Sequence, residues 1–484
     1  MYTVVFLTQL VEEIHLKITK RFFIMLICFT FAFCLLVQTG CNTDDSVKPY
    51  TIRFWHTYTG KQCDIFEMLV DTYNVTEGKS RNIFVVAEYK SQDEITDYLD
   101  TAFSSKVSGV DYPEITFISK ESAYKANMHN LIVSAEQYLT KQELKGYFDG
   151  FLQEGQIAGT DKTFVFPISK ISPVTIINDS MWRQFYVSNI VERKQWETWS
   201  GITSLAEKYY KWSDGRALMA FESVEDFIFA YSSQQLPYLV QTGNKEIKIN
   251  TNKETLRGIW DFYYGGVVNG YILQTDNILE ALEKGDIIAY TGVPHDMTYF
   301  PKRYVNYNGE TSSLLITSVR YPSINNSRKV CPQIGNGVCV FNHGEKINQA
   351  SYNFLHWLCS NENVIQFSVA NNEVSSYRPV YEKSSTEDYF KQLSVYNYNK
   401  YYMLSNSLNQ VIEGNTYSPT GFIGYDSFCE EITYSLTDAS AKGLAAVKKY
   451  EENGLMHEQA VNKVCSEENF EAWYAKVLEI AQKY

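Results

Sequence analysis

Between residues 50 and 118, three extended apolar runs alternate with two helical stripes, and that order leaves few folds open. Tyr50 to His56 reads as a strand, with Ile52, Phe54 and Trp55 supplying bulk. Ile65, Phe66, Leu69, Val70 and Tyr73 then recur at the spacing of an amphipathic helix. Ile83 to Tyr89 is a continuous apolar run, the pattern of a strand covered on both faces. Ile95, Tyr98, Leu99, Ala102 and Phe103 form a second helical stripe, and Pro113 to Ile118 a third strand. Strands separated by single helices predict βαβ units, a parallel sheet and right-handed crossovers. Such a sheet binds ligands outside the carboxyl ends of its strands. Those ends carry Trp55-His56-Thr57-Tyr58, Tyr89-Lys90-Ser91-Gln92-Asp93 and Ser119-Lys120-Glu121. Loop chemistry explains any one of them; polar and aromatic residues at all three favour a site.

Phe164 to Asp179 is extended and apolar and carries Pro167 and Pro173, so it cannot be a helix. It reads as one strand crossing between two lobes. Beyond it the alternation restarts. Trp196, Trp199, Ile202, Leu205 and Ala206 predict a helix, and Ala217 to Phe221 a strand. Helical stretches follow at 226–231 and 256–264, then short strands at Ile287–Tyr290, ending in Thr291-Gly292, and at Gly337–Phe341. Residues 350–359, 363–369 and 470–480 read as helices.

Ahead of this body, Lys17, Lys20 and Arg21 flank an apolar run from Phe22 to Val37, which leads through Thr39-Gly40 to Cys41. The run is about 16 residues, against the roughly 20 that a spanning helix needs. Basic flank, short apolar core and small residues are the parts of an export signal. A small pair ending on a cysteine marks a bacterial lipoprotein signal over 1–40, with Cys41 acylated and 41–49 as a tether. Gln38 departs from the Leu usual there, and an uncut membrane anchor is the rival reading. Glu12 and Glu13 are foreign to a signal, so the first residues read as an upstream extension.

The formal net charge is −13 and there is no basic block, which argues against nucleic acid as a partner. The cysteines of the body form no CxxC pair, so a zinc ribbon or thioredoxin-like site is not expected. Outside the cytoplasm, disulfides are open to them. Cys331 and Cys339 are the closest pair, while Cys63, Cys359 and Cys465 fall in helical patterns where a free thiol packs as a small core residue. Catalytic motifs are missing. His457-Glu458 lacks the second His of a zincin, Gly335-Asn336-Gly337 lacks the third Gly of a dinucleotide loop, and there is no GxSxG elbow or Walker A loop. His295, His343, His356 and His457 are dispersed, so no metal site and no cofactor are expected. Nothing singles out a glycosidase pair among the many carboxylates.

With these residues in place, the chain resembles the extracellular solute-binding proteins of carbohydrate-importing ABC transporters, in the branch of the glycerol-3-phosphate and oligosaccharide binders. The resemblance rests on Phe54-Trp55-His56, on Pro167 through Ser172-Pro173-Val174 to Asn178-Asp179, on Trp196 opening a helix, and on Thr291-Gly292, Ile334 to Gly337 and Tyr377-Arg378-Pro379-Val380, in that order. It implies an α/β, two-lobed periplasmic-binding-protein-like fold. Each lobe would hold a mainly parallel sheet flanked by helices, with the ligand cleft between. Expected boundaries are 50–166 with 293–343 for lobe I and 173–290 with 345–484 for lobe II, with crossings near 167–172, 291–292 and 344. Strand ends and resemblance together give Trp55, His56, Asp93, Lys120, Ser172, Thr291, Asn336 and Tyr377 as ligand-binding residues. Ile171 and Ile423 stand where the glycerol-phosphate binder has polar or cationic groups. A buried phosphate needs a fork-shaped cation partner, so the resemblance implies a neutral carbohydrate rather than a phosphate ester. It further implies a monomeric receptor rather than an enzyme, held outside the cytoplasm by its lipid, on the outer face of the membrane or in the periplasm, and delivering the sugar to permease subunits. A sensor subunit or adhesin, and less so a glycan-active enzyme, are the alternatives.

Overall fold

The computed structural model describes residues 48–104, 109–157, 160–243, 246–294, 299–325, 327–414 and 416–484. The expected export signal and Cys41 lie outside them. Tyr50–Tyr484 forms one compact unit, built on two five-stranded sheets.

In the first sheet, Tyr50–His56 runs parallel to Ile83–Tyr89, in register from Tyr50 opposite Ile83 to His56 opposite Tyr89. On its other side it pairs in parallel with Ile115–Ile118. Gly337–Phe341 lies antiparallel between Ile115–Ile118 and the edge strand Ile132–Val133. The second sheet repeats the pattern. Ile272–Leu273, Met219–Phe221 and Ala289–Gly292 are parallel. Val174–Asn178 then lies antiparallel between Ala289–Gly292 and the edge strand Ile316–Val319. The expected α/β class with parallel strands and flanking helices is therefore present, each sheet adding two antiparallel pairings. One strand differs from expectation. Ile83–Tyr89 is an edge strand, and Phe84 and Tyr89 reach solvent. The strands covered on both faces are Ile115–Ile118, Val174–Asn178, Met219–Phe221, Ala289–Gly292 and Gly337–Phe341.

Each sheet gathers its own core. Helix Gly60–Val75 buries Phe66, Leu69, Val70 and Tyr73 against the first sheet. Helix Glu345–Ser360 joins them with Tyr352, Phe354, Leu355 and Leu358, and Phe354 meets Phe54 at 6.2 Å between ring centres. The second core takes helices Trp199–Trp212, Lys253–Val268, Tyr425–Glu452 and Glu467–Ala481. A side chain such as Leu205 or Ile259, fully buried, contributes about 1.5–3 kcal/mol.

Short pairings outside the two sheets lie within the segment expected to cross at 167–172 and in later segments. Phe166 bridges to Val338 and Ile171 to Ile334, Ser169–Lys170 pairs with Val374–Ser375, and Cys331–Pro332 lies beside Thr416–Tyr417. These short pairings form the hinge. Pro173 interrupts what the sequence presents as one strand, so regular pairing resumes only at Val174. Ile316–Val319 pairs with Val174–Asn178 in the second sheet, whereas the sequence places 293–343 in the first lobe. Glu345–Ser360 and Val364–Ala370 belong with the first, because their apolar stripes match the Phe54–Phe66 face. Thr291-Gly292 ends an internal strand and Gly344 caps a helix, so neither is a crossing. Cys63, Cys331, Cys339, Cys359, Cys429 and Cys465 are free thiols. Cys331 and Cys339 lie in different strands, one at the hinge and one inside the first sheet. Among the described residues no helix is long and apolar enough to cross a membrane.

Candidate functional site

The carboxyl ends of the second sheet's parallel strands open onto a hollow of about 350 Å³. Pro173 and Ile334, from two hinge segments, line it with Glu222, Ser223, Glu225, Asp226, Thr291, Gly292, Val293 and Tyr321. Local sequence explains the arrangement. Strand Met219–Phe221 ends at Glu222, and Ser223 caps helix Val224–Ser233, accepting from the Asp226 N–H at 3.0 Å. Glu225 and Asp226 fall in the first helical turn, where the helix dipole favours negative charge. Glu222 donates its N–H to the Thr291 carbonyl at 3.0 Å, and its Oε2 accepts from the Val293 N–H at 2.7 Å. A side chain at Gly292 would collide with that carboxylate. Burial pushes the Asp226 carboxyl up to about 7, and Glu225 and Glu222 act in the same direction. Glu225 is also raised by burial.

Glu225 lines a second hollow as well, of about 440 Å³, with Tyr425, Asp426, Cys429, Glu430, Thr433, Tyr434 and Thr437. Among the described residues lining the two hollows there is no Lys or Arg. A larger hollow of about 580 Å³ lies elsewhere, between helices Tyr425–Glu452, His457–Val464 and Glu467–Ala481, away from the strand ends. Its floor is the Trp260, Tyr264 and Trp473 ring stack, its rim carries both charges, and no strand end or hinge segment faces it.

The first lobe reaches this region through Lys120. Strand Ile115–Ile118 ends at Ser119, which caps helix Lys120–Met128 by accepting from Ser122 N–H. Lys120 Nζ pairs with Glu154 Oε1 at 3.0 Å, donates to the Ser418 hydroxyl, and stands 5.3 Å from the Tyr425 ring centre. Gly421 abuts the Lys120 main chain. The other oxygen of Glu154 takes Lys170 at 3.0 Å and the Gln333 amide at 2.7 Å, and Lys170 also donates to the Gly335 carbonyl. Burial alone would raise the Glu154 carboxyl, but Lys120 and Lys170 more than offset it and hold it below its ordinary value. Lys170 is lowered by burial, with Glu154 opposing. Glu373 is raised by burial beside Ser169, Asn371 and Gln62. The hinge is thus threaded by a buried charge network that ends at Lys120.

Of the expected residues, only Thr291 lines a hollow, and Lys120 faces them from across the cleft. Asn336 stands at the first-lobe rim, donating to Gln92 Oε1 at 3.2 Å, with exposed Asp93 one residue further on. Trp55 is half-buried, its indole N–H taken by Glu88 at 3.0 Å and its ring edge-on to Tyr98. Two placements correct the expectation. His56 is 1% exposed, on the opposite face of its strand from Trp55, packed among Tyr58, Phe66 and Tyr89; burial lowers it to about 4. Ser172 is 0% exposed, its main chain bonded to Ser407 and its hydroxyl to Gln410 and Cys331. It ties the hinge together. Tyr377 packs in the first lobe over Gly146, edge-on to Tyr147 at 5.0 Å and His356 at 5.4 Å, and lines neither hollow. Sequence reasoning missed Glu222, Glu225, Asp226 and Tyr321. The strand-end rule that found Lys120 also points to the first three, directly after Phe221.

A family model described as bacterial extracellular solute-binding protein matches residues 69–394. The fold is similar to that of the cyclic alpha-maltosyl-1,6-maltose binding protein from Arthrobacter globiformis, at 13% identity and TM-score 0.65, over 90% of this chain and 100% of that one. The sugar-binding protein MalE from Xanthomonas citri is similar at 14% identity and TM-score 0.64, over 90% and 98%. UgpB from Mycobacterium tuberculosis, solved with glycerophosphocholine, is similar at 13% identity and TM-score 0.61, over 90% and 99%. Among curated protein sequences there is no match.

Proposed function

The chain belongs to the bacterial extracellular solute-binding proteins, and on that premise we propose that it is a carbohydrate receptor. It captures an oligosaccharide in the cleft, is tethered to the membrane through an acylated Cys41, and delivers its load to an ABC import permease. The observation that carries this reading is the first hollow. It lies at the carboxyl ends of the second sheet, is bounded by hinge residues Pro173 and Ile334, and is faced by Lys120 from the other lobe. A ligand there touches the parts that move against each other, so it stabilises the closed arrangement over the open one. Taking such an equilibrium from 1:99 to 99:1 requires roughly 5.5 kcal/mol of differential binding, within reach of several hydrogen bonds and a stacked ring. The sugar-binding descriptions of two structural neighbours support the ligand class. The linings argue against phosphate esters, since the described residues that line them include five carboxylates and no Lys or Arg.

A thermal-shift and calorimetric screen over oligosaccharides and glycerol phosphate tests the reading. A bound sugar at 100 times Kd stabilises the chain by about 2.7 kcal/mol, and glycerol phosphate leaves the transition where it was. Micromolar binding of glycerol phosphate with no response to any oligosaccharide would overturn it.

A further inference from the structure

We infer that Lys120 is a positioning residue for solute capture: anchored in the first lobe, it holds the second lobe against the first before any solute arrives. This rests on the two-lobed receptor reading above and goes beyond it, because Lys120 lines neither hollow. Its anchorage is on the first-lobe side. Helix Lys120–Met128 buries Ala123 and Ala126 in the first core. Glu154, at the end of helix Asp149–Glu154, takes the ammonium at 3.0 Å, and Leu152 of that helix packs on the same core. The second lobe meets the same side chain. The Ser418 hydroxyl accepts from the ammonium, the Tyr425 ring centre stands 5.3 Å away, and Gly421 lies against the Lys120 main chain. These residues lead into helix Tyr425–Glu452, and Phe422 and Tyr425 are buried in the second core.

A lysine suits this place. Its flexible stem carries a compact charge with three donors across a gap, and a tyrosine face attracts a cation that has lost water. Its charge also acts forward. Lys120 favours the ionised forms of Glu225, Asp226 and Asp426, which lie in the first turns of second-lobe helices Val224–Ser233 and Tyr425–Glu452. Glu222, Glu121 and Lys125 act on the same carboxylates. Closing the cleft therefore sets a cation held by one lobe opposite carboxylates of the other, an attraction that needs no solute. Opening it keeps the Glu154 pair, which lies within the first lobe. What opening gives up is the Ser418 hydroxyl, the Tyr425 ring and the facing carboxylates. Lys120 thereby biases the two-state equilibrium of the empty receptor toward closure.

Small-angle X-ray scattering on the solute-free chain tests this without any sugar. Ser418→Ala leaves Glu154 both of its lysines and removes an acceptor that the second lobe offers. Loss of one charge-assisted bond moves the open-to-closed ratio about tenfold, so the radius of gyration rises while the melting temperature holds. Lys120→Met raises the radius too. The double variant is no more open than Lys120→Met alone, because both changes undo one contact. Native-like radii for Ser418→Ala and Lys120→Met overturn the inference, as do openings that add in the double variant. A lowered melting temperature in Lys120→Met with a native radius in Ser418→Ala also overturns it, and assigns Lys120 to balancing Glu154 alone. The ligand class is decided separately by the binding screen, so a latch without sugar binding and sugar binding without a latch are distinct results.

Discussion

His56 is the residue whose chemistry departs furthest from its expected role. The ring lies inside the first core and burial holds it down to about 4 from 6.5, so it stays neutral where an exposed imidazole would be half charged. In the unfolded chain it binds a proton near 6.5, before the folded chain does. Its contribution to stability is therefore fully present above that pH and is lost as pH falls from 6.5 toward 4. The shift corresponds to about 3 kcal/mol of stability. Denaturant unfolding at a series of pH values on the native chain and on His56→Phe reads this directly. His356 is lowered too, so the difference between the two chains is the quantity to follow, and two parallel curves would show that His56 is not the source. Glu154 has a different standing. Its two oxygens are divided between Lys120 and Lys170, so each hinge cation is held in place by a carboxylate the other also uses. Removing either lysine leaves the rest of the network unbalanced in a buried place, the situation in which losing one partner is most damaging.

At the scale of elements, the loop before helix Tyr425–Glu452 presses its Gly421 onto the first turn of helix Lys120–Met128. A Cβ at Gly421 would stand 2.5 Å from Lys120 Cβ and 2.6 Å from its carbonyl oxygen. Gly421→Val therefore forces these two elements apart and disfavours whichever arrangement of the lobes brings them together. Overpacking of about 1–3 kcal/mol predicts a loss of about tenfold or more in oligosaccharide affinity, with the melting temperature of the free chain nearly unchanged. A drop in melting temperature with affinity intact would assign the contact to the fold instead of to closure. Helix Tyr425–Glu452 also shows where the sequence is hard to read. Phe428, Ile432 and Leu436 begin an apolar stripe, but Ser440 and Gly443 continue it before Val447, and such small residues give no periodic signal. The first lobe is legible by contrast. Tyr50–His56 and Ile83–Tyr89 match their expected limits because bulky β-branched and aromatic residues start and stop sharply there. The alternation of a strand says that Trp55 and His56 oppose each other; which face helix Gly60–Val75 covers is a tertiary fact. For the same reason Lys120 could be found from its strand end, while the proximity of Glu222 to Thr291 depends on sheet order, which local pattern does not carry.

For the whole molecule, the proposed lipid anchor acts from outside the folded body. Each buried methylene of an acyl chain adds about 0.8 kcal/mol of membrane affinity, and more than one chain makes attachment durable. The native chain accordingly sediments with membranes, and Cys41→Ser moves it to the soluble fraction or leaves it unprocessed; unchanged processing and sedimentation would remove Cys41 from this role. The sheet order has a consequence of another kind, for how the molecule comes into being. Gly337–Phe341 fits between Ile115–Ile118 and Ile132–Val133, yet every strand of the second sheet, through Ile316–Val319, precedes it along the chain. A chain emerging from its amino end has all the strands of its second sheet before it can close the first. The first half stays open-edged and unlocked until late, which suits a polypeptide that has to be threaded outward before it folds. The segment that closes the first sheet follows directly on Cys331–Ile334, part of the hinge, so closing that sheet and linking the two lobes are neighbouring steps along the chain.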